Sequence, residues 1–553
     1  MIRSKEILDK PVNSGVRSLF KAVGLCDDEL EKPMIGIANS WSDMVPGHKH
    51  FRELAENVKY GILENGGYPL EFGVIGACDG IANSHIGMNY ILPTREIIAD
   101  SIECMAEANH LDGLVLLGGC DKIIPGMIMG AARLNIPAVI LTGGPMLGGM
   151  IFDNRNSDNS SMPEAVAMLQ NGTIDMNTFN KLEDYSCPTV GSCSFLGTAN
   201  SMSCFAEALG LSVAGSSLIP AVYAERRRAA HDSGKAVMKL VKSGKTIKDV
   251  ITKGSLCNAF KVMLAIGGST NTVLHILGIA HSAGISLDIN DLSILCDQIP
   301  IIGQVFPANK FNVVDLHNEG GIPAIMHELL PLLDTSAFTI NNSNVGEVYK
   351  TTKKVEGAKL IRTIDDPFKI KGGIEVLKGN LAPNTGITKP AAIDPSMYFF
   401  EGKAVCFNSE EDAETAIIGG VKLENKVIVI RYEGPKGGPG MREMAVTMKM
   451  LYGRGLNLKT ALITDGRFSG SNNGCFVGHI SPEASEGGPI ALVQDGDIIT
   501  IDIPNKSLSV NLSEEEMDRR RKVWKPIVKD IQSPVLKKFM KYASSADRGA
   551  IIE

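Results

Sequence analysis

The chain reads as an α/β protein: a parallel-sheet N-terminal domain with helices on both faces, then a β-rich C-terminal domain. Two patterns carry this reading. Near-continuous apolar runs alternate with helical patterns through the first 150 residues, as in a parallel sheet covered on both faces. The second half turns to shorter strands and includes the alternation DGDIITIDIPNKSLSVNLS, a two-residue period that suits β-strands.

Taken in order, Met34–Ala38, Phe72–Ala77, Leu114–Leu117 and Ala138–Thr142 predict strands. Phe51–Leu63 and Arg95–Ala108 predict helices between them; Ile98, Ile102 and Met105 fall on one helical face. Further helices are expected over Gly197–Leu209, Ala221–Ser243, Asn258–Ala283 and Gly321–Leu333. From about Thr351 to Met397, repeated turn residues, as in GGIEVLKGNLAPNTG, read as a connection. This places two domains at 1–365 and 366–553. In the second, Ala404–Phe407, Lys426–Arg431 and Thr460–Ile463 predict strands and Met441–Gly453 a helix.

Composition narrows the function. The 553 residues hold 55 Lys+Arg and 62 Asp+Glu, a net charge of −7. That balance and 5% aromatics argue against a nucleic-acid binder, which needs a basic face and stacking platforms. The N-terminus MIRSKEILDKPVNSG lacks an apolar signal core, and no apolar run approaches a membrane span. A cytoplasmic location is expected, with the thiols reduced. The 11 cysteines contain no CxxC pair, so metal-binding cysteines would have to converge from distant loops.

Three loops follow predicted strands at their carboxyl ends, where α/β sheets bind ligands: NSWSDMVPGH from Asn39, CDGIA from Cys78 and GGCDKIIPG from Gly118. A fourth, GSCSFLGTANSM from Gly191, opens a helix. They present Cys78, Cys120 and Cys193, with Asp79 and Asp121 beside two of them and Lys122 following. Thiolates suit a soft metal or an iron–sulfur cluster, carboxylates a hard ion such as Mg²⁺, so adjacent soft and hard ligands point to two metal centres side by side. Taken singly, each cysteine also fits as a small buried hydrophobe. In the second domain, RYEGPKGGPGMREM carries Glu443, either a metal ligand or a favourable charge in a helix's first turn. ALITDGRFSGSNNG carries Ser469, either a nucleophile or base activated by a metal, or ordinary turn chemistry. His48, His50 and His85 lie near the loops without a partner motif, and His275 and His281 read as packing residues. Cys26, Cys104, Cys187, Cys204, Cys257, Cys296, Cys406 and Cys475 lie outside these loops and read as packing residues too.

CDKIIPGMIMG from Cys120 and LITDGRFSGSN from Leu462 resemble the two signatures of the dihydroxy-acid dehydratase/phosphogluconate dehydratase family. TREIIADS, GGSTN, GNLAP, YEGPKGGPGM and GHISPEA are similar to its text in the same order. The resemblance covers nearly the whole chain. It implies a β-barrel-like C-terminal domain, a homodimer or dimer of dimers, and dehydration of a 2,3-dihydroxy acid to a 2-keto acid. It also implies cluster ligation by Cys120 and Cys193, and Mg²⁺ at Asp79, Asp121, Glu443 and a carbamylated Lys122, with Ser469 as base. Where some members place a cysteine in a Pro-Cys-Asn run, this chain has Gly47 in VPGHKH. Cys78 is the candidate third cluster ligand, and a [2Fe-2S] cluster is favoured over [4Fe-4S]. Ser194, Phe195, Asn83, Ser84, Ser471 and Asn472 also depart from the more usual text. The expected activity is a dihydroxy-acid dehydratase of branched-chain amino-acid biosynthesis. A sugar-acid dehydratase is the alternative, and an electron-transfer or iron-sensing cluster protein is the reading from a different class.

Overall fold

The computed structural model describes residues 2–83, 85–352 and 355–553. The N-terminal sheet holds β1 (Met34–Asn39), β2 (Tyr68–Gly73), β3 (Gly113–Gly118) and β4 (Ala138–Thr142), all parallel, in the order β2-β1-β3-β4. β1, β3 and β4 are buried along their whole length, as strands covered on both faces must be. β2 is the exposed edge. Its weaker apolar pattern explains why the predicted strand Phe72–Ala77 lies too far along; Val74–Cys78 is loop.

Helices flank both faces. They are α1 (Phe51–Glu64), α2 (Met88–Ala108), α3 (Ile123–Leu134), α4 (Thr198–Ala208), α5 (Ala224–Ser243), α6 (Lys253–Ile266) and α7 (Asn271–Ser282). Gly113 of β3 faces Val237 of α5, while Gly118 faces Met127 and Ile124 of α3. Residues an odd number apart on a strand point to opposite faces, so these helices cover different sides. α1 and α5 approach backbone to backbone: a Cβ on Gly61 would sit 2.1 Å from the His231 carbonyl oxygen.

The expected helix Asn258–Ala283 is two helices, α6 and α7. Gly267 ends α6 in the left-handed region at φ +64°, a conformation that glycine adopts at little cost. The break makes Asn271 the first residue of α7.

The C-terminal sheet has eight strands: β5 (Glu375–Leu377), β6 (Thr385–Thr388), β7 (Phe399–Phe407), β8 (Lys426–Ile430), β9 (Ala461–Thr464), β10 (Phe476–Ser481), β11 (Ile498–Asp502) and β12 (Ser507–Val510). Their order is β12-β11-β7-β8-β9-β10-β6-β5, parallel from β7 through β10 and antiparallel at both flanks. The flanks nearly meet. Lys378 N–H donates to the Lys506 carbonyl at 2.9 Å, and Leu508 N–H to the Lys378 carbonyl at 3.0 Å. The Asn380 amide pairs with both backbone groups of Val510. This barrel-like closure hides the sheet edges. The stretch Thr351–Met397 is therefore more than a connection, since it supplies β5 and β6. Its turn-rich text conceals strands of only three and four residues.

The expected helix Met441–Gly453 is shorter, beginning at Val446. Glu443–Met444 instead pair in parallel with Arg467–Phe468. Cys26, Cys104 and Cys187 are exposed, which corrects their reading as packing residues. His281 is also exposed, at the end of α7, whereas His275 is buried. Among the described residues no helix is long and apolar enough to cross a membrane.

Candidate active site

The loops after β1, β2 and β3 converge at the carboxyl end of the sheet. Cys78 begins the short helical turn Asp79–Ala82. Cys120 and Asp121 follow β3, and Lys122 caps α3. The ladder between Glu443–Met444 and Arg467–Phe468 brings in the barrel side.

Asp79, Asp121 and Glu443 offer carboxylate oxygens within 4.8 Å of one another. Lys122 sits among them: its Nζ donates to Asp79 at 2.7 Å and lies 3.7 Å from Asp121 and 3.8 Å from Glu443. The Asp121 carboxyl is pushed up to about 8, chiefly by burial and then by the Asp79 carboxylate, against the pull of Lys122. Three crowded acids, one of them resisting ionisation, make a like-charge cluster that a divalent cation would relieve. Oxygen-only donors of this kind fit a hard ion, so the residues fit Mg²⁺.

The thiols form the adjoining group. Cys78 and Cys120 are in mutual hydrogen-bond contact, which draws the Cys78 thiol down and pushes Cys120 up. The Gly80 and Ile81 N–H groups also favour a Cys78 thiolate. Burial holds the Cys193 thiol well above its ordinary value, and a charge on Cys78 raises it further. A Cβ on Gly47 would lie 3.1 Å from Cys120 Sγ and 3.7 Å from Ser192 Cα. Position 47 therefore borders the thiol group, and Gly47 leaves room there. The donor set is three cysteines from separate loops, which fits a cluster with an iron left open.

Ser469 follows Phe468 directly, one residue past the end of the ladder and two beyond Arg467, the partner of Glu443. Its Oγ accepts from the Ser471 N–H at 3.4 Å and lies 3.2 Å from Ser471 Oγ. Asn472 turns back, its N–H donating to the Ser469 carbonyl at 3.2 Å.

Several polar groups of the site went unassigned in the sequence. Arg467 is fully buried. It donates to Glu443 at 2.8 Å and to the Met441 carbonyl at 2.6 Å. Asn271 Nδ2 donates to Glu443 and to Thr198 Oγ1, both at 2.9 Å, and its Oδ1 accepts from Arg467 at 3.3 Å. The signal was there in GGSTN, TANSM and TDGRFSG, but it carried no chemistry without the tertiary contacts. His479 is buried with neither ring nitrogen partnered among the described residues. Burial, with Arg467 and Lys122 nearby, lowers its pKa to about 3. His48 and His50 bond the carbonyls of Ser40 and Gly143 at 2.7 and 2.8 Å, which makes them supports of the loops. His85 stays exposed. Among the departures, Asn472, Ser471, Ser194 and Phe195 are buried and Asn83 partly so. Ser84 lies outside the described residues.

This geometry brings a thiol group and a buried carboxylate group together where the sheet and the barrel side meet. The N-terminal model of the dihydroxy-acid/6-phosphogluconate dehydratases matches residues 32–348, and the C-terminal model matches 359–550. A dihydroxy-acid dehydratase from Caldanaerobacter subterraneus subsp. tengcongensis is 48% identical over 537 residues, 97% of this chain and 96% of that protein. One from Pyrococcus furiosus is 47% identical over 538 residues, 97% of each chain. One from Clostridium botulinum (strain Eklund 17B / Type B) is 46% identical over 554 residues, 100% of each. The chain belongs to the dihydroxy-acid/6-phosphogluconate dehydratase family. It is an enzyme, a dehydratase of the hydro-lyase class.

Proposed function

We propose that the protein converts a 2,3-dihydroxy carboxylic acid to a 2-keto acid, with 2,3-dihydroxy-3-methylbutanoate and its 3-methylpentanoate homologue as substrates in branched-chain amino-acid biosynthesis. In this reading Cys78, Cys120 and Cys193 hold an iron–sulfur cluster, [2Fe-2S] in preference to [4Fe-4S]. Asp79, Asp121, Glu443 and a carbamylated Lys122 hold Mg²⁺, and Ser469 is the base. The observation that carries it is the pairing of thiol and carboxylate on successive residues of two loops, Cys78-Asp79 and Cys120-Asp121, facing Glu443. Relatives named dihydroxy-acid dehydratase at 46–48% identity support the substrate class.

When bound, the cluster and the divalent ion supply Lewis acids for the 3-hydroxyl and for the carboxylate with the 2-hydroxyl. Ser469 takes the C2 proton onto Oγ. The C2–H electron pair becomes the C2=C3 bond as the C3–O bond breaks, and the proton on Ser469 leaves with the hydroxide as water. The enol then moves a proton from its hydroxyl to C3, giving the 2-keto acid. The Ser471 N–H and hydroxyl beside Ser469 Oγ support an alkoxide there. The reading divides the chain at 365/366, the first part carrying the cysteines and two acids, the second Glu443 and Ser469. The reading keeps a homodimer or dimer of dimers and a cytoplasmic location.

A sugar acid is the second reading, favoured by one observation: the buried Asn83 Oδ1 has no partner among the described residues and would suit a hydroxyl-rich substrate. Anaerobic assays of 2-keto acid formation from 2,3-dihydroxy-3-methylbutanoate and from aldonates decide between them. Turnover of aldonates alone overturns the first reading. Cys120→Ser should abolish the visible absorbance, and a full spectrum in that variant removes Cys120 from the ligand set. Reversible cluster reduction without dehydration of any acid would point instead to electron transfer.

A further inference from the structure

Lys389 follows β6 and is 1% exposed. Its Nζ donates to the Gly470 carbonyl at 3.1 Å, one residue beyond Ser469. Among the described residues it has no carboxylate within ion-pair distance. Lys449 is the cation that acts on it, and its own charge is matched by Glu164 at 2.9 Å. A buried ammonium without a counter-charge is costly unless the site provides one. Burial, with Lys449 adding to it, draws the Lys389 pKa down to about 7.

The opposite side of the same loop rests on α4. A Cβ on Gly470 would come 2.6 Å from Gly197 Cα and 3.0 Å from the Thr198 nitrogen. The loop is therefore held between the Lys389 ammonium and the N-terminus of an eleven-residue helix, itself a centre of positive potential.

We propose that Lys389 is a positioning residue for the dehydration: it clamps the loop through the Gly470 carbonyl and supplies the positive charge against which Ser469 is held as an alkoxide. The inference rests on the reading of Ser469 as base. In each cycle the alkoxide gains the substrate's C2 proton and gives it up with the departing hydroxide, while Lys389 transfers no proton. Its charge matters most when Oγ is anionic, so it acts on kcat more than on substrate binding.

The test uses the anaerobically purified holoenzyme and four variants. Lys389→Met removes bond and charge, Lys389→Gln keeps a donor without charge, Lys389→Arg keeps both, and Ser469→Ala tests the base. Methionine and glutamine are each expected to lower kcat by about 100-fold or more, with KM changed less than about threefold and absorbance per chain retained. Arginine is expected to restore at least tenfold of that loss, which a merely structural role would not require. Parental kcat in Lys389→Gln overturns the charge, and parental kcat in Lys389→Met overturns the whole assignment. Should the methionine variant fail to fold, the glutamine and arginine pair decides. Turnover by Ser469→Ala overturns the serine reading and this inference together. An inactive Ser469→Ala beside a fully active Lys389→Gln overturns only the lysine.

Discussion

Asn271→Ala is the most direct probe of how the site is held. Asn271 is buried, and its Nδ2 gives Glu443 a hydrogen bond at 2.9 Å. It also ties Thr198 on α4 and Arg467 on the barrel side. A hydrogen bond to a charged acceptor is worth about 1.5–3 kcal/mol. At about 1.4 kcal/mol per factor of ten, its loss corresponds to about 10- to 150-fold in cation affinity or turnover. The assay is a Mg²⁺ titration of activity with metal-stripped enzyme, giving the apparent affinity and kcat at saturation. Asn271→Asp should lose at least as much, because it sets a fourth carboxylate beside Glu443 where like charges already crowd. If Asn271→Ala keeps both quantities within twofold of the parent, the assignment of Glu443 as a ligand oriented by Asn271 is wrong.

Three further outcomes are expected. His48 is held neutral by burial, its pKa lowered to about 4. Unfolding restores an ordinary value near 6.5, so the unfolded chain binds the proton more readily. Stability is then full above about pH 6.5 and falls toward pH 4 by about 3 kcal/mol. In His48→Gln the slope of stability against pH over that window should drop by about one proton, and an unchanged slope would refute the account. Gly47→Ala places a Cβ 3.1 Å from Cys120 Sγ and should lower iron per chain while leaving the far-ultraviolet circular dichroism unchanged. Full iron loading would show that position 47 does not border the cluster. Lys449→Met removes one of two buried cations on Glu164, leaving Arg155 at 3.0 Å, and should cost about 1.5–3 kcal/mol in denaturant unfolding, the worth of a charged hydrogen bond. Adding Glu164→Gln should recover part of this, and a single variant as stable as the parent would refute the coupling.

The apolar runs of β1, β3 and β4 were legible because strands buried on both faces leave an uninterrupted hydrophobic signature. β2 slipped because an edge strand needs no such run. The short strands β5 and β6 were hidden in turn-rich text, since their pairing with β10 and the barrel closure is non-local. The site was legible where chemistry is unusual for a loop: Cys78-Asp79 and Cys120-Asp121-Lys122 carry a reading by themselves. Glu443 stood out in the sequence, but it lies on a ladder with Arg467 instead of in a helix turn, because its neighbour in space lies in another loop. Arg467, Asn271 and Lys389 stayed hidden for the same reason. An arginine, an asparagine or a lysine is ordinary in sequence, and only burial against a specific partner gives it a task.

The carboxylate triad draws Asp79 and Asp121 from the sheet and Glu443 from the barrel side. A cation seated there is therefore a rivet as well as a reagent. Its binding free energy is added to the work of prising the barrel from the sheet, following RT ln(1 + [L]/Kd). Chelation would then do more than silence the enzyme. With a cation bound at the proposed site, it would lower the temperature at which the two halves part, and the supply of free cation would set the cohesion of the molecule along with its rate.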